Sequence, residues 1–470
     1  MNKKIRESFL KIGLLLLFVV VFPFIAYAFI NGQTINDLMG HTINNDNINP
    51  FYTNYSKNDE SNLVGLSSSG HTVIDTVNHR LFIADTNNSR VVVHQLNASN
   101  QLVDNTPDFV LGKPDFYQSQ IPGATASNMS GPLGLAIDTV NNKLFVADHN
   151  ARILVFDVAA ITNGEAAVNV LGQNNFTTTT TGLSATQVNI PRGLHYDQAS
   201  QRLFVADSGN ARVLIFDVAA ITNGEAAVNV LGQPNFTSGT PAYDNDSLST
   251  VWDVHYDATS TRLFVADQNG LSVDKMRVMV FDLATITNGE AAVNVIGKSN
   301  FTAVSSAINQ SNTTYAYSLD YDPVRNYLFV GGYSRILIFD VNAIIDGENA
   351  VNVLGQTTYT GSAIGNSAGL LGSISGMVYD QTNNYLYTVD NIQYRVSVYD
   401  LATITDGESS IDILGQTVNN DGVTDEYGWG GENDGPGTGG FNFGSGTGIG
   451  SISYDKNNHK LFIPDRGNHR

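Results

Sequence analysis

Three residues at one repeating position carry the side chains best suited to chemistry: His195, His255 and Asp320. Each stands two residues before an Asp that closes a short apolar stretch, in "GLHYD", "DVHYD" and "SLDYD". Two imidazoles and a carboxylate would suit a Zn-type site or a general acid–base pair. Joint coordination needs the donors within roughly 3–4 Å of one another. The competing expectation is packing: each His lies beside the Tyr that follows it, Tyr196 or Tyr256, and hydrogen-bonds between neighbouring units.

The elements that must position these residues are repeats. "DVAAITNGEAAVNVLGQ" runs from Asp157 to Gln173 and again from Asp217 to Gln233, with looser copies from Asp282, Asp340 and Asp400. The Asp that closes the first stretch of each unit recurs at Asp75, Asp138, Asp197, Asp257, Asp322, Asp380 and Asp455. One unit, 193–236, holds four strand signals: "GLHYD", "QRLFVAD", "ARVLIFD" and "AVNVLGQ". They are rich in β-branched and aromatic residues, and turn-forming residues separate them. Between the third and fourth lies the repeated stretch. Asp157 is expected to cap a short helix through "VAAI", and "NG" or "DG" to make a tight turn, since Gly tolerates positive φ.

Four antiparallel strands per unit, repeated around a ring, describe an all-β fold, a β-propeller. One blade cannot bury both faces alone, so neighbours cover them. "NDLMGHTINN" at 36–45 resembles the fourth strand "DILGQTVNN" at 412–420, whereas 451–470 supplies only a first and second strand. The N-terminal strand is therefore expected to complete the last blade. That gives seven blades and a closed ring without exposed edges. At least one further strand is expected to follow Arg470.

Ahead of the propeller, expected over 29–470, Lys3, Lys4, Arg6 and Lys11 precede an apolar run from Leu14 to Ala28. The run ends in Ala26-Tyr27-Ala28. Residues 1–28 thus read as a signal peptide or an uncleaved membrane anchor helix. Either places the remainder outside the cytoplasm: extracellular, periplasmic or at the cell surface. The mature chain meets a membrane only through this segment, if uncleaved.

The 470 residues carry a formal net charge of −20. Such a surface repels phosphate backbones and argues against nucleic acid as a partner. There is no cysteine, which excludes disulfides, thiolate catalysis and Cys-based metal sites.

"ADSGNARVLIFD" (206–217), "ADHNARILVFD" (147–157) and the terminal "PDRGNHR" resemble NHL repeats. The likeness spans about 36–470 and implies the propeller fold. It leaves activity open, since NHL propellers include protein- and RNA-binding platforms, sensor ectodomains and amidating lyases. The lyase branch offers a precedent for metal in the axial channel. The units here are longer than usual, chiefly through the "DVAAITNGE" joint.

An Arg opens the third strand of each unit: Arg90, Arg152, Arg212, Arg277, Arg335, Arg395 and Arg470. A residue present in every blade serves packing, so pairing with the Asp that ends strand two, such as Asp148, Asp207 or Asp267, is expected. Residues 419–446 form an acidic, Gly-rich insertion. Asn419, Asp421 and Asp425 partly match a Ca²⁺ loop, with Thr417 and Gly428 at two ligand positions. Trp429, Phe441 and Phe443 are candidates for contact with a partner. No cofactor is expected; Ca or Zn are the metals these candidate sets would take.

The expected function is a non-enzymatic binding scaffold for a protein, peptide or glycan, since catalysis usually needs unrepeated polar residues. The alternatives are a propeller lyase or hydrolase using His195, His255 and Asp320 with a metal, and a structural surface module of a longer protein.

Overall fold

The computed structural model describes residues 66–464, apart from 67–68, 105, 119–121, 269–273, 366 and 415–451. The apolar stretches become antiparallel sheets of four strands in sequential order, and six such blades form. In the third, Pro191–Asp197 pairs with Arg202–Asp207, which pairs with Arg212–Asp217, which pairs with Asn229–Leu231. Blades 1 to 6 occupy residues 69–111, 135–171, 191–231, 250–296, 318–354 and 374–414.

The expected count of seven four-stranded blades is corrected to six. The seventh unit provides a two-stranded ladder, Ser453–Asp455 with Lys460–Phe462. The residues proposed as its outer strand, around Leu38, lie outside the described residues, as does the segment 1–28 expected to be a signal or anchor. The ladder joins blade 1 to blade 6. Thr72 Oγ1 and Ser453 Oγ are 2.7 Å apart, and Asn100 Nδ2 donates to Asp455 Oδ2 at 2.7 Å. On the other side the Tyr454 hydroxyl donates to Asp380 Oδ2 at 2.6 Å. First strands of successive units touch all the way round, so they are the innermost strands. No helix among the described residues is long and apolar enough to cross a membrane.

The period of two along each strand sorts side chains between neighbours. Leu203 and Val205 pack toward Phe145 and Val155 of blade 2, while Phe204 and Ala206 pack toward Val254 and Leu263 of blade 4. The core is therefore a series of slabs between blades, and each fully buried Leu, Val or Phe contributes about 1.5–3 kcal/mol.

The repeated stretch is not a helix. Asp157 Oδ1 accepts from the Ala159 amide at 3.1 Å, and Asp217, Asp282 and Asp400 repeat this turn. Among the described residues the one helical element is a 3-10 turn, Ser208–Asn210. The side chain of Asp157 satisfies an amide locally, which competes with helix formation.

The glycine turn does form, and it serves the neighbouring blade. The Val170 amide, on the outermost strand of blade 2, donates to Asn223 Oδ1 of blade 3 at 3.1 Å. The Gly224 amide returns a bond to Val170 O at 3.0 Å. Asn163, Asn288, Asp346 and Asp406 accept equivalent amides. Gly224 has φ +73°, and a Cβ there would stand 2.9 Å from Asn174 Cα. Each joint thus covers an edge strand that would otherwise present unpaired amides.

The repeated Arg residues are structural. Arg90, Arg152, Arg212 and Arg277 pair through Nε with Asp85, Asp148, Asp207 and Asp267 at 2.7–2.9 Å, all fully buried. Arg212 also donates to Phe236 O, Ser184 O and Gln187 O, tying the loops of its blade to the sheet.

Candidate functional site: the axial channel and its mouth

Side chains two before each closing Asp project from the innermost strand toward the next blade. His195 and His255 therefore become neighbours, with ring centroids 5.2 Å apart and planes at 61°. His195 also lies edge-on to Tyr256 at 6.4 Å, and His255 lies 6.0 Å from Tyr321. Neither imidazole hydrogen-bonds to protein among the described residues, which departs from the expected bond between units. The packing against following tyrosines is present, but with the next blade's Tyr. Burial holds His195 down to about 3, with the nearby His255 adding to the effect, and holds His255 down to about 4. Both rings are neutral at physiological pH.

Asp320 does not turn toward them. Its Oδ1 accepts from its neighbour Tyr321 N at 2.8 Å, and its Oδ2 from Tyr379 N of blade 6 at 2.5 Å. The same projection that brings His195 to His255 carries Asp320 onward, away from the histidines. Among the described residues no three His, Asp or Glu side chains gather as metal ligands. Asn419, Asp421, Asp425, Trp429, Phe441 and Phe443 lie outside the described residues.

The structure adds Asp253, two residues before His255. Its Oδ1 accepts from Val254 N at 2.9 Å. Burial raises its carboxyl to about 6, and that of Asp320 to about 7, where Asp253 adds a smaller upward push. The channel thus holds two neutral imidazoles and two carboxyls that keep protons unusually late. His71, from blade 1, is also held down to about 4 by burial.

At the channel mouth stands a group that single positions in the sequence did not announce. Five residues before the closing Asp, blades 3, 4 and 5 carry Arg192, Trp252 and Tyr317. The Arg192 guanidinium lies over the Trp252 ring, 4.1 Å from its centroid. Tyr317 stacks on Tyr315 at 5.0 Å, and Tyr315 contacts Tyr333 at 5.5 Å. Trp252 and Ala316, which separates the two tyrosines in sequence, share one apolar cluster.

Blade 5 departs from the repeat here. The Gly332 amide donates to Arg335 O at 3.1 Å, just past the ladder, where blade 3 has Asp207 opposite Arg212. A Cβ at Gly332 would lie 2.8 Å from Tyr315 O. The missing carboxylate leaves room for the Tyr315 backbone to close in, which gathers the three tyrosines. The legible signal was the substitution of "VADSGNAR" by "VGGYSR".

No family model matches the chain, and no curated protein matches it. Among solved structures the chain is similar to the hydrazine synthase of Kuenenia stuttgartiensis. That similarity has 14% identity and a TM-score of 0.47, over 71% of this chain and 76% of that one.

Proposed function

We propose that the protein is an exported, NHL-type propeller acting as a non-enzymatic binding scaffold, with its ligand seated at the channel mouth. The observation that carries this reading is where the blades differ. The shared residues are consumed in packing: the Arg–Asp pairs, the glycine joints and the apolar slabs. The unrepeated aromatic and cationic residues collect at the mouth of blades 3 to 5. Aromatic rings with polar handles are the side chains that dominate recognition surfaces. Export is supported by the basic, then apolar, segment 1–28, and the NHL assignment by the Asp–Arg spacing around the turn after strand two.

The test is capture on arrays of extracellular peptides, proteins and glycans, comparing the wild type with Tyr317→Ala/Tyr333→Ala. The double variant should fold with an unchanged circular dichroism spectrum and lose capture. Unaltered capture would remove the mouth from the reading.

One observation favours a second reading, a lyase or hydrolase in the channel: Asp320 and Asp253 keep protons to about 7 and 6, a range suited to general acids. Metal content of the purified protein, with and without His195→Ala/His255→Ala, separates the metal form of that reading.

A further inference from the structure

From the mouth's chemistry we infer that its ligand is a carboxylated glycan, with a sugar ring on the tyrosine platform and its carboxylate on Arg192. This rests on the reading of the mouth as the binding site and specifies what that site takes.

Arg192 is unusual in this chain. The sequence has 44 acidic residues against 24 basic ones, and the described arginines that open third strands are bonded to carboxylates or carbonyls. Arg192 makes neither an ion pair nor a hydrogen bond with any described residue, and its Nε is buried without a partner. Burial holds its affinity for protons below the ordinary value, and it stays protonated near neutrality. The guanidinium carbon lies 4.1 Å from the Trp252 ring centroid. A guanidinium seated on an aromatic ring, with no acceptor among the described residues, is available to a bidentate carboxylate.

The second component is aromatic: Tyr317, Tyr315 and Tyr333 follow one another with ring planes tilted by 30° and 40°. Tyr333 is 37% exposed, and Tyr315 and Tyr317 are partly exposed beside it. Tyrosine faces offer a pyranose ring its C–H face, and their hydroxyls offer hydrogen bonds to the sugar. The two components adjoin because neighbouring innermost strands are nearly in backbone contact: a Cβ on Gly193, next to Arg192, would lie 3.1 Å from Trp252 O. Trp252 in turn belongs to the same apolar cluster as Ala316, which lies between Tyr315 and Tyr317 in sequence.

A third observation sets the sign of the charge. Arg335 is buried, 3% exposed, and has no carboxylate partner among the described residues. It donates instead to Asn312 O at 2.7 Å and to Tyr359 O. Blade 5 thus keeps the cation of the repeat and lacks its Asp. A cation without its carboxylate, in a chain that is otherwise strongly acidic, favours an anion in this blade.

The experiment is calorimetric titration of the full chain with tetragalacturonate and with the neutral cellotetraose. Tetragalacturonate should bind, weaken with rising salt, and be favoured over the neutral sugar by about tenfold or more, as expected for one bidentate charged contact. Arg192→Gln should abolish that preference by lowering tetragalacturonate affinity about tenfold or more, and Arg192→Lys should restore little of it. Tyr317→Ala should weaken both sugars. Equal affinity for the two sugars, with Arg192→Gln silent, overturns the carboxylate assignment and leaves the mouth as a binding site. Capture of an acidic peptide, with neither sugar bound, overturns the glycan assignment. No mouth-dependent binding of any probe overturns both.

Discussion

The imidazole of His195 meets that of His255 edge to face, 5.2 Å between centroids, with neither ring hydrogen-bonded to any of the described residues. Two protonated rings at this distance would repel, and burial already disfavours the charge. The folded values, about 3 and about 4, lie below the ordinary 6.5. As pH falls the unfolded chain therefore takes up protons first. The stability contributed by neutral rings is complete above pH 6.5 and is lost progressively toward pH 4. His195→Gln/His255→Gln should flatten melting temperature against pH between 6.5 and 4, leaving the residual slope of His71, His94 and His149, whose values burial lowers, and the opposing slope of Asp253 and Asp320, whose values burial raises. A slope equal to the wild type's would contradict the burial of these rings.

Asp320 has the opposite sign. Its folded value is raised to about 7 from 3.8, so its contribution is complete below about pH 3.8 and is lost as pH rises through 7. Asp320→Asn should reduce the loss of stability between about pH 4 and 7. At pH 5 it should cost about 1 kcal/mol for an imperfect replacement of one of the two amide bonds. Denaturation midpoints measured across that range decide this, and an unchanged slope between about pH 4 and 7 would reject it.

Arg212 and Asp207 form a fully buried pair at 2.7 Å. Arg212→Met leaves the Asp207 carboxylate without its cation and should destabilise by about 3–5 kcal/mol. Arg212→Lys keeps the charge but not the fork that reaches Phe236 O, Ser184 O and Gln187 O. It should lose about 2 kcal/mol. Urea titration provides the comparison, and a loss under 1 kcal/mol for Arg212→Met would argue against a structural Arg.

Asn223 holds the outer edge of the neighbouring blade through Val170 N. Asn223→Ala should cost about 1 kcal/mol and speed hydrogen exchange at the Val170 amide. Gly224→Ala should cost more, because φ is +73° and the added Cβ would meet Asn174. If Val170 exchange were unchanged in both, the clamp would not operate in solution.

Phe462 packs from the two-stranded ladder into the cluster of Leu81, Ile83 and Val92 in blade 1. Phe462→Ala should cost about 3–5 kcal/mol and expose the outer face of blade 1 to limited proteolysis. A protein indifferent to this change would not be joined through that ladder.

The propeller was legible because a repeat reports its own environment. Each "LFVAD" must bury both faces, so its pattern records the presence of neighbours before any neighbour is located. The glycine turns were legible for a similar reason, since "NG" and "DG" encode a backbone angle. The helix expected after Asp157 was misread, because an Asp side chain can cap a helix or close a single turn, and local sequence does not separate the two.

What the residues determined alone was the strands of the six blades, the joints and the Arg–Asp partnership of blades 1 to 4, all within one unit or one step of it. What tertiary structure decided was everything set by projection between blades. It paired His195 with His255 and sent Asp320 to Tyr379, because side chains at equivalent positions all lean the same way round the ring. It also brought Arg192, Trp252 and the three tyrosines to one mouth, although sixty or more residues separate Arg192 from Trp252 and Trp252 from Tyr317. Chain separation carries no information about that distance; the closure of the innermost strands does.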